Sequence, residues 1–437
     1  MVQTYEEALT WIHSRLKLGV KPGLRRMEWL MERLEHPEER MKAIHIAGTN
    51  GKGSTVCYLR TIFQEAGYNI GTFTSPYFEF FNERISVNGE PISNDELVFL
   101  VNKVKPLVIE LEKTDLGSPT EFEVITAMAL YYFGYVNTLH LVIFETGLGG
   151  RLDSTNVIQP ILSLITNVGL DHTTILGETI TEIASEKAGI IKPGVPVITS
   201  VDQQEALQVI KDKANKETSS VFFEGQDYSI ISHESQQQGE RFSLQTPLTM
   251  FHNLFISMRG THQVKNAALA VMAITYLRDN HSVMIENTHI KSGLNKANWI
   301  GRFEQIATNP LVIIDGAHNP EGVQSLVSTI ATHLKDKQIR IILSALCDKK
   351  LEQMINPLSE IAEVITFTTF DFPRVCTAKQ LYDQCKLENK KINEDWESAL
   401  DEELSLLQEG EALVITGSLY FLSQVRPYIL QKKKIFH

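Results

Sequence analysis

Ala43-Ile44-His45-Ile46-Ala47-Gly48-Thr49-Asn50-Gly51-Lys52-Gly53-Ser54 is the stretch that sets the fold. Ala43–Ala47 is a short apolar run of strand type, and Ser54 to Ala66 has helical spacing. Strand, glycine loop and helix in that order make a phosphate-binding loop, because the backbone N–H groups and the helix N-terminus converge on an anion. Lys52 supplies a charge for the β- and γ-phosphates, and Ser54 or Thr55 a hydroxyl. The spacing departs from the common P-loop: Ile46 stands where the first glycine belongs, and Gly53 follows the lysine. The plain alternative is a glycine turn entering a helix.

Working outward, helical spacing covers Thr4–Arg15, Leu24–Leu34, Glu121–Phe133, Thr179–Ala188 and Val264–Leu277. Leu139–Phe144 and Ile161–Ile165 read as buried strands. Residues Val221–Met258 alternate in short runs, which predicts an antiparallel appendage. After a boundary near Lys291–Gly301, strands are expected at Leu311–Ile314, Gln338–Leu343, Glu363–Phe367 and Ala412–Thr416. The expectation is an α/β protein: a P-loop-containing, parallel-sheet N-terminal domain (1–296) with a small antiparallel appendage, and a smaller Rossmann-like C-terminal domain (297–437).

Strand ends carry the polar residues. Glu145 closes Leu141–Phe144 and precedes Gly147-Leu148-Gly149-Gly150; Asp171 and His172 lie past Ile161–Ile165. Oxygen and imidazole donors beside a phosphate loop suit magnesium. Lys187 sits in a helix before a glycine turn. In the second series, Arg302 precedes a strand that ends in Asp315-Gly316-Ala317-His318-Asn319-Pro320. Two strand-end clusters, one per domain, predict substrates held in a closing cleft.

The 437 residues are 43% apolar and 22% charged, ordinary for a globular chain, and carry a formal net charge of −12. That balance argues against nucleic acid; the basic run Lys432-Lys433-Lys434 is expected to be a solvated tail. Four cysteines (Cys57, Cys347, Cys376, Cys385) lack zinc-site spacing and suggest a reducing compartment. With no secretory signal and no bilayer-length apolar run, a cytoplasmic protein without membrane partners is expected, and a monomer by default.

Taken in order, these motifs make the chain resemble folylpolyglutamate synthase, including its bifunctional dihydrofolate synthase form, within the Mur-ligase superfamily. The resemblance runs through Gly19–Leu24, Ala47–Ser54, Thr74-Ser75-Pro76, Asn82–Ile85, Glu145–Asn156, Leu170–Thr173, Glu186–Ile190, Asn266–Ala268, Gly301–Phe303, Asp315–Pro320 and Thr416–Ser418. Ile300 and Tyr77 depart from residues frequent in the family, proline and histidine. The resemblance implies that Asn50, Gly51, Lys52, Gly53 and Ser54 bind ATP, with Asn266, Arg302 and Asp315 on the nucleotide. It implies magnesium on Ser75, Glu145 and His172, and a carbamylated Lys187. His318 would lie near the glutamate or phosphate, with Lys52 and Lys187 in catalysis. The pterin-bearing substrate would meet Lys21, Pro22 and Gly23; Thr120, Glu121, Phe122 and Glu123; and Leu152, Asp153 and Ser154. The implied reaction joins L-glutamate to a reduced folate, or to dihydropteroate, using ATP. A regulatory P-loop NTPase and another Mur-type amide ligase are the competing readings.

Overall fold

The computed structural model describes residues 1–433. It divides into two compact units: 1–231, 243–254 and 265–296; and 232–242, 255–264 and 297 to the end of the described residues.

The first unit is built on eight strands: β1 (Ala43–Ala47), β2 (Ile70–Phe73), β3 (Ile85–Val87), β4 (Glu90–Pro91), β5 (Leu141–Glu145), β6 (Leu162–Ile165), β7 (Val197–Thr199) and β8 (Val221–Phe223). Their order is β4-β3-β2-β5-β1-β6-β7-β8. From β2 to β8 every neighbouring pair is parallel, while β3 and β4 add an antiparallel edge. All five residues of β1 are buried, as expected of a central strand covered on both faces.

Helices Tyr5–His13, Arg25–Arg33, Asn94–Leu111 and Glu121–Tyr131 share a core with Phe73, Val142 and Phe144. Ile180–Ala188 and Gln204–Lys216 pack with Ala47, Ile165 and Val197. Capping boxes start three helices of the first unit: Ser93 with Glu96, Thr120 with Glu123, and Thr179 with Glu182. Each side chain satisfies an otherwise orphaned N–H of its first turn.

One boundary needs correction. Val221–Phe223, read as the start of the antiparallel appendage, is β8 and pairs parallel with β7 in the main sheet. Three consecutive apolar residues before a turn look the same in both settings. The appendage itself is a three-stranded sheet, β9 (Ser229–Gln236), β10 (Gly239–Gln245) and β11 (Met250–Ile256), in the order β11-β10-β9. Turns this short can join only antiparallel neighbours.

The second unit carries β12 (Glu304–Thr308), β13 (Leu311–Asp315), β14 (Gln338–Leu343), β15 (Ala362–Phe367), β16 (Lys390–Ile392) and β17 (Glu411–Thr416), in the order β12-β13-β17-β14-β15-β16. Only β12 runs antiparallel to its neighbour. Cys347 and Cys376, expected to be thiols, are joined in a disulfide, and Cys57 and Cys385 are buried and outside it. Their separation of 29 residues leaves no spacing signal to read. Of the basic run, Lys432 pairs with Asp401, and Lys434 lies outside the described residues. No helix among the described residues is long and apolar enough to cross a membrane.

Candidate active site

Parallel pairing sends the ends of β1, β5 and β6 to one edge of the first sheet. Ile46 lies level with Glu145, and Ala47 with Ile165. The loop after β1 is strapped to the loop after β6. Thr49 N donates to Asn167 O at 3.1 Å, and Asn50 N to Asn167 Oδ1 at 2.7 Å. Thr166 Oγ1 donates to Asn50 O at 2.6 Å, and Thr49 Oγ1 accepts from Gly169 N at 2.9 Å. A Cβ on Gly48 would stand 1.8 Å from Thr166 Oγ1, so only glycine allows this approach. Gly51 has φ +83°, and a Cβ there would meet Asn266 Oδ1 at 2.3 Å. Asn50, Gly51 and Asn266 are thus brought together. Helix Lys52–Glu65 follows at once, with Gly53 and Ser54 buried in its first turn. Lys52 Nζ folds back to the carbonyls of Gly48 (3.0 Å) and Thr49 (3.3 Å).

Glu145 is 4% exposed and accepts from Ser75 N at 3.1 Å through Oε2. This contact ties the ends of β2 and β5, and brings two of the expected magnesium ligands side by side. His172 stands in the left-handed region at φ 50°, its N–H held by Asp171 Oδ1 at 2.8 Å. Its imidazole is 43% exposed, with Nε2 4.0 Å from Asp171 Oδ2.

Lys187 is 2% exposed. Burial, helped by the charge of Lys52, pushes its amine down to about 7, against the opposing pull of Asp171 and Asp153. The glycine turn after β5 packs on this helix: a Cβ on Gly150 would meet Glu186 O and Lys187 O at 2.9 Å. Arg151 N donates to Glu186 O at 2.7 Å, and its guanidinium pairs with the Glu186 carboxylate.

The residues expected around a pterin form a neighbouring group in the same unit. Phe122 lies against Gly147, where a Cβ would come within 2.5 Å of its ring. Lys21 Nζ donates to Ser118 O at 3.1 Å, which ties the Lys21-Pro22-Gly23 turn to the chain before Thr120. Glu123 is buried in two structural bonds, to Arg26 Nε (2.8 Å) and in the Thr120 capping box. Glu121 pairs with His13. Asp153 Oδ2 accepts from Leu148 N at 2.8 Å, and burial pushes its carboxyl up. Ser154 is buried and Leu152 partly so.

In the second unit, Asp315 Oδ2 accepts from Phe303 N at 2.8 Å and Oδ1 from Ala317 N at 2.9 Å. Burial raises its pKa, and the Arg302 charge opposes the shift. His318 Nδ1 bonds Gly316 O at 2.8 Å, and Asn319 caps the helix Pro320–His333 through Gly322 N. Asp315 stands level with Thr416 on β17. Arg302, Asp315 and His318 therefore share one strand-end cluster.

The reading from sequence missed Thr166 and Asn167, which hold the phosphate loop in shape. They were visible only as a turn, and no local pattern says which turn will strap which loop. His45 and Thr155, buried behind the site, were missed for the same reason.

Residues 46–274 match the Mur ligase middle domain, and residues 301–419 match the Mur ligase glutamate ligase domain. A Bacillus subtilis dihydrofolate synthase/folylpolyglutamate synthase is 49% identical over 98% of this chain and 99% of its own length. A solved Mycobacterium tuberculosis folylpolyglutamate synthase complexed with ADP and AMPPCP superposes with a TM-score of 0.90, at 27% identity, covering 97% of this chain and 98% of that one. A solved FPGS–AMPPCP–folate complex gives a TM-score of 0.84 at 32% identity, covering 98% of this chain and 100% of the other. With both family domains in place and near-complete coverage of such relatives, the chain belongs to the Mur ligases, in the dihydrofolate synthase/folylpolyglutamate synthase family.

Proposed function

We propose that the protein is an ATP-dependent ligase that joins L-glutamate to the γ-carboxylate of reduced folates, and also to dihydropteroate. The observation that carries the reading is the edge where β1, β5 and β6 end. There a phosphate loop, the buried carboxylate of Glu145 and the Asp171–His172 pair lie on adjacent strands. The names of the relatives supply the acceptor class and the bifunctional form.

A carboxylate resists attack by an amine. Its oxygen takes the γ-phosphoryl group of ATP, the β–γ bridging bond breaks, and ADP leaves. The glutamate amine then attacks the acyl phosphate carbon; phosphate departs and the nitrogen gives up a proton. Asn50, Gly51, Lys52, Gly53 and Ser54 hold the phosphates, and Lys52 spreads the charge of the transferring group. Asn266 bonds the nucleotide beside Gly51. Arg302 and Asp315 offer a guanidinium and a carboxylate to the nucleotide, and His318 acts near the glutamate or phosphate. The turn Lys21-Pro22-Gly23, Thr120 to Glu123 and Leu152 to Ser154 hold the pterin-bearing acceptor. In this group Glu123 acts through structure, since Arg26 and Thr120 already occupy its carboxylate.

Ser75, Glu145 and His172 suit magnesium, which takes few protein ligands and completes its shell with water and phosphate oxygens. Bound magnesium supplies charge neutralisation on the transferring phosphoryl group. Lys187 is suited to carry a carbamate. At neutral pH a large share of its amine is unprotonated and able to add CO2, and the product's negative charge would face Lys52 instead of repelling it. The enzyme acts as a cytoplasmic monomer on small molecules.

ADP release is expected only when a reduced folate, or dihydropteroate, and L-glutamate are both present. Product mass analysis should show one added glutamate per ADP. Glutamate-independent turnover at the full rate would reject the ligase reading in favour of an NTPase.

A further inference from the structure

Behind the candidate site, one side chain from β1 and two from the segment after the glycine turn form a line of hydrogen bonds. His45, on β1, is completely buried, and its Nε2 lies 2.8 Å from Thr155 Oγ1. Thr155 Oγ1 donates to Asp153 Oδ1 at 2.5 Å, and Thr155 N reaches the same oxygen at 3.0 Å. The other oxygen of Asp153 accepts from Leu148 N inside the glycine turn.

The line has a direction. A carboxylate only accepts, so the single hydroxyl proton of Thr155 is committed to Asp153. The remaining lone pair of that hydroxyl must accept, which places the ring proton of His45 on Nε2. His45 Nδ1 then carries no proton, and it is buried without a hydrogen-bond partner. Burial and the nearby Lys192 push the imidazole down to about 3, so it stays neutral across any working pH. An ordinary core histidine would use both nitrogens. Here one is left unmade and the other is spent on a hydroxyl that serves a carboxylate.

We propose that His45 and Thr155 are positioning residues for the acceptor: together they aim Asp153 and hold the Leu148–Asp153 turn in the shape that receives the pterin-bearing substrate. This rests on the ligase reading above. The strand that leads into the phosphate loop thus also props the acceptor turn, so one strand sets the spacing between the two substrates. The buried chain is fixed relative to β1, and it is not part of the loop that holds ATP.

The test compares Thr155→Val, Thr155→Ser and His45→Gln with the wild type. KM is measured for tetrahydrofolate and, separately, for ATP, and each variant's thermal midpoint is recorded. Thr155→Val keeps the shape and removes the hydroxyl. Its KM for tetrahydrofolate is expected to rise roughly ten-fold, the scale of one lost hydrogen bond to a charged group, with KM for ATP within about two-fold. Thr155→Ser should return the folate KM to near the wild-type value. His45→Gln, which can still donate towards Thr155, should lie between the two. Equal rises in both KM values, tracking a lowered thermal midpoint, would overturn the proposal and make the line mere core structure. An unchanged folate KM in Thr155→Val would overturn it too. Failure of the wild type to couple ADP release to folate and glutamate would instead reject the ligase reading itself.

Discussion

Lys52 turns its ammonium back onto the carbonyls of its own loop, Gly48 and Thr49. These neutral acceptors keep the charge near the loop and leave it available to a phosphate. Lys52→Ala should therefore lower turnover by roughly 10²–10³-fold, the loss typical of one transition-state charge partner, with an unchanged far-UV spectrum and a loss of stability of at most about 1–2 kcal/mol for the two loop hydrogen bonds removed. Steady-state kinetics and a melt check both halves. Lys187 gives a pH signature. Its folded value near 7 lies below its ordinary value of 10.5. Between those two values the unfolded chain holds a proton that the folded chain has released. Stability contributed by this residue therefore rises with pH across that window and is flat below it. Lys187→Met should flatten this part of the stability–pH curve, measured by urea unfolding at a series of pH values. A carbamate signal with ¹³C-bicarbonate should be present at pH 8 and fade below about pH 7.

At the scale of elements, the phosphate loop depends on its strap. Gly48→Ala would drive a methyl into Thr166 Oγ1. The expected cost is about 1–3 kcal/mol, as for other overpacked sites, with weaker ATP binding. Adding Thr166→Ala should recover part of both, although Thr166 Oγ1 no longer holds Asn50 O. Equilibrium unfolding and nucleotide titration of the three variants read the coupling. In the second unit, Glu240 on β10 is fully buried and accepts from His333 Nε2 (2.7 Å), His233 Nε2 (2.8 Å) and Gly260 N (2.6 Å). Although burial alone would raise its pKa, the bonds from His333, Ser235, Gly260 and His233 hold it down at about 2. A carboxylate depressed in the folded state stabilises above its ordinary value near 4.5 and loses that stabilisation as pH falls through its folded value. Glu240→Gln should be less stable than the wild type at pH 7, and the gap should close between about 4.5 and 2.

Elements also show how far the sequence could be read. β1, β5, β6 and four strands of the second unit, β13, β14, β15 and β17, stand out because most residues of each are apolar. β2 does not, since Ile70-Gly71-Thr72-Phe73 contains a glycine and a threonine that only packing makes strand-like. Gly71 sits under Phe133 and Leu139, a contact no local pattern announces. Site residues on strand ends were legible for the same reason the strands were. The straps (Thr49 to Gly169, Asn50 to Asn167, His45 to Thr155) join residues more than a hundred positions apart, and were not.

At the scale of the whole molecule, two sheets with separate cores carry two polar clusters, each on the ends of parallel strands. The expected behaviour is a strict requirement for three substrates. With dihydropteroate as acceptor, the product should be dihydrofolate; with tetrahydrofolate, a tail longer by one glutamate. Mass spectrometry of each reaction distinguishes a bifunctional enzyme from one that only extends the tail.

β1 occupies the middle of its sheet, between β5 and β6. The loop that follows it is held by Asn167 and Gly169, which lie 117 and 120 positions further along the chain. During synthesis the nucleotide loop thus leaves the ribosome well before the segment that gives it its shape. Roughly ten seconds of translation, at the usual 5–20 residues per second, separate the two events. For most of that interval an apolar strand waits without either neighbour. A nascent chain stalled before β6 should bind no nucleotide and should be a good client for a chaperone.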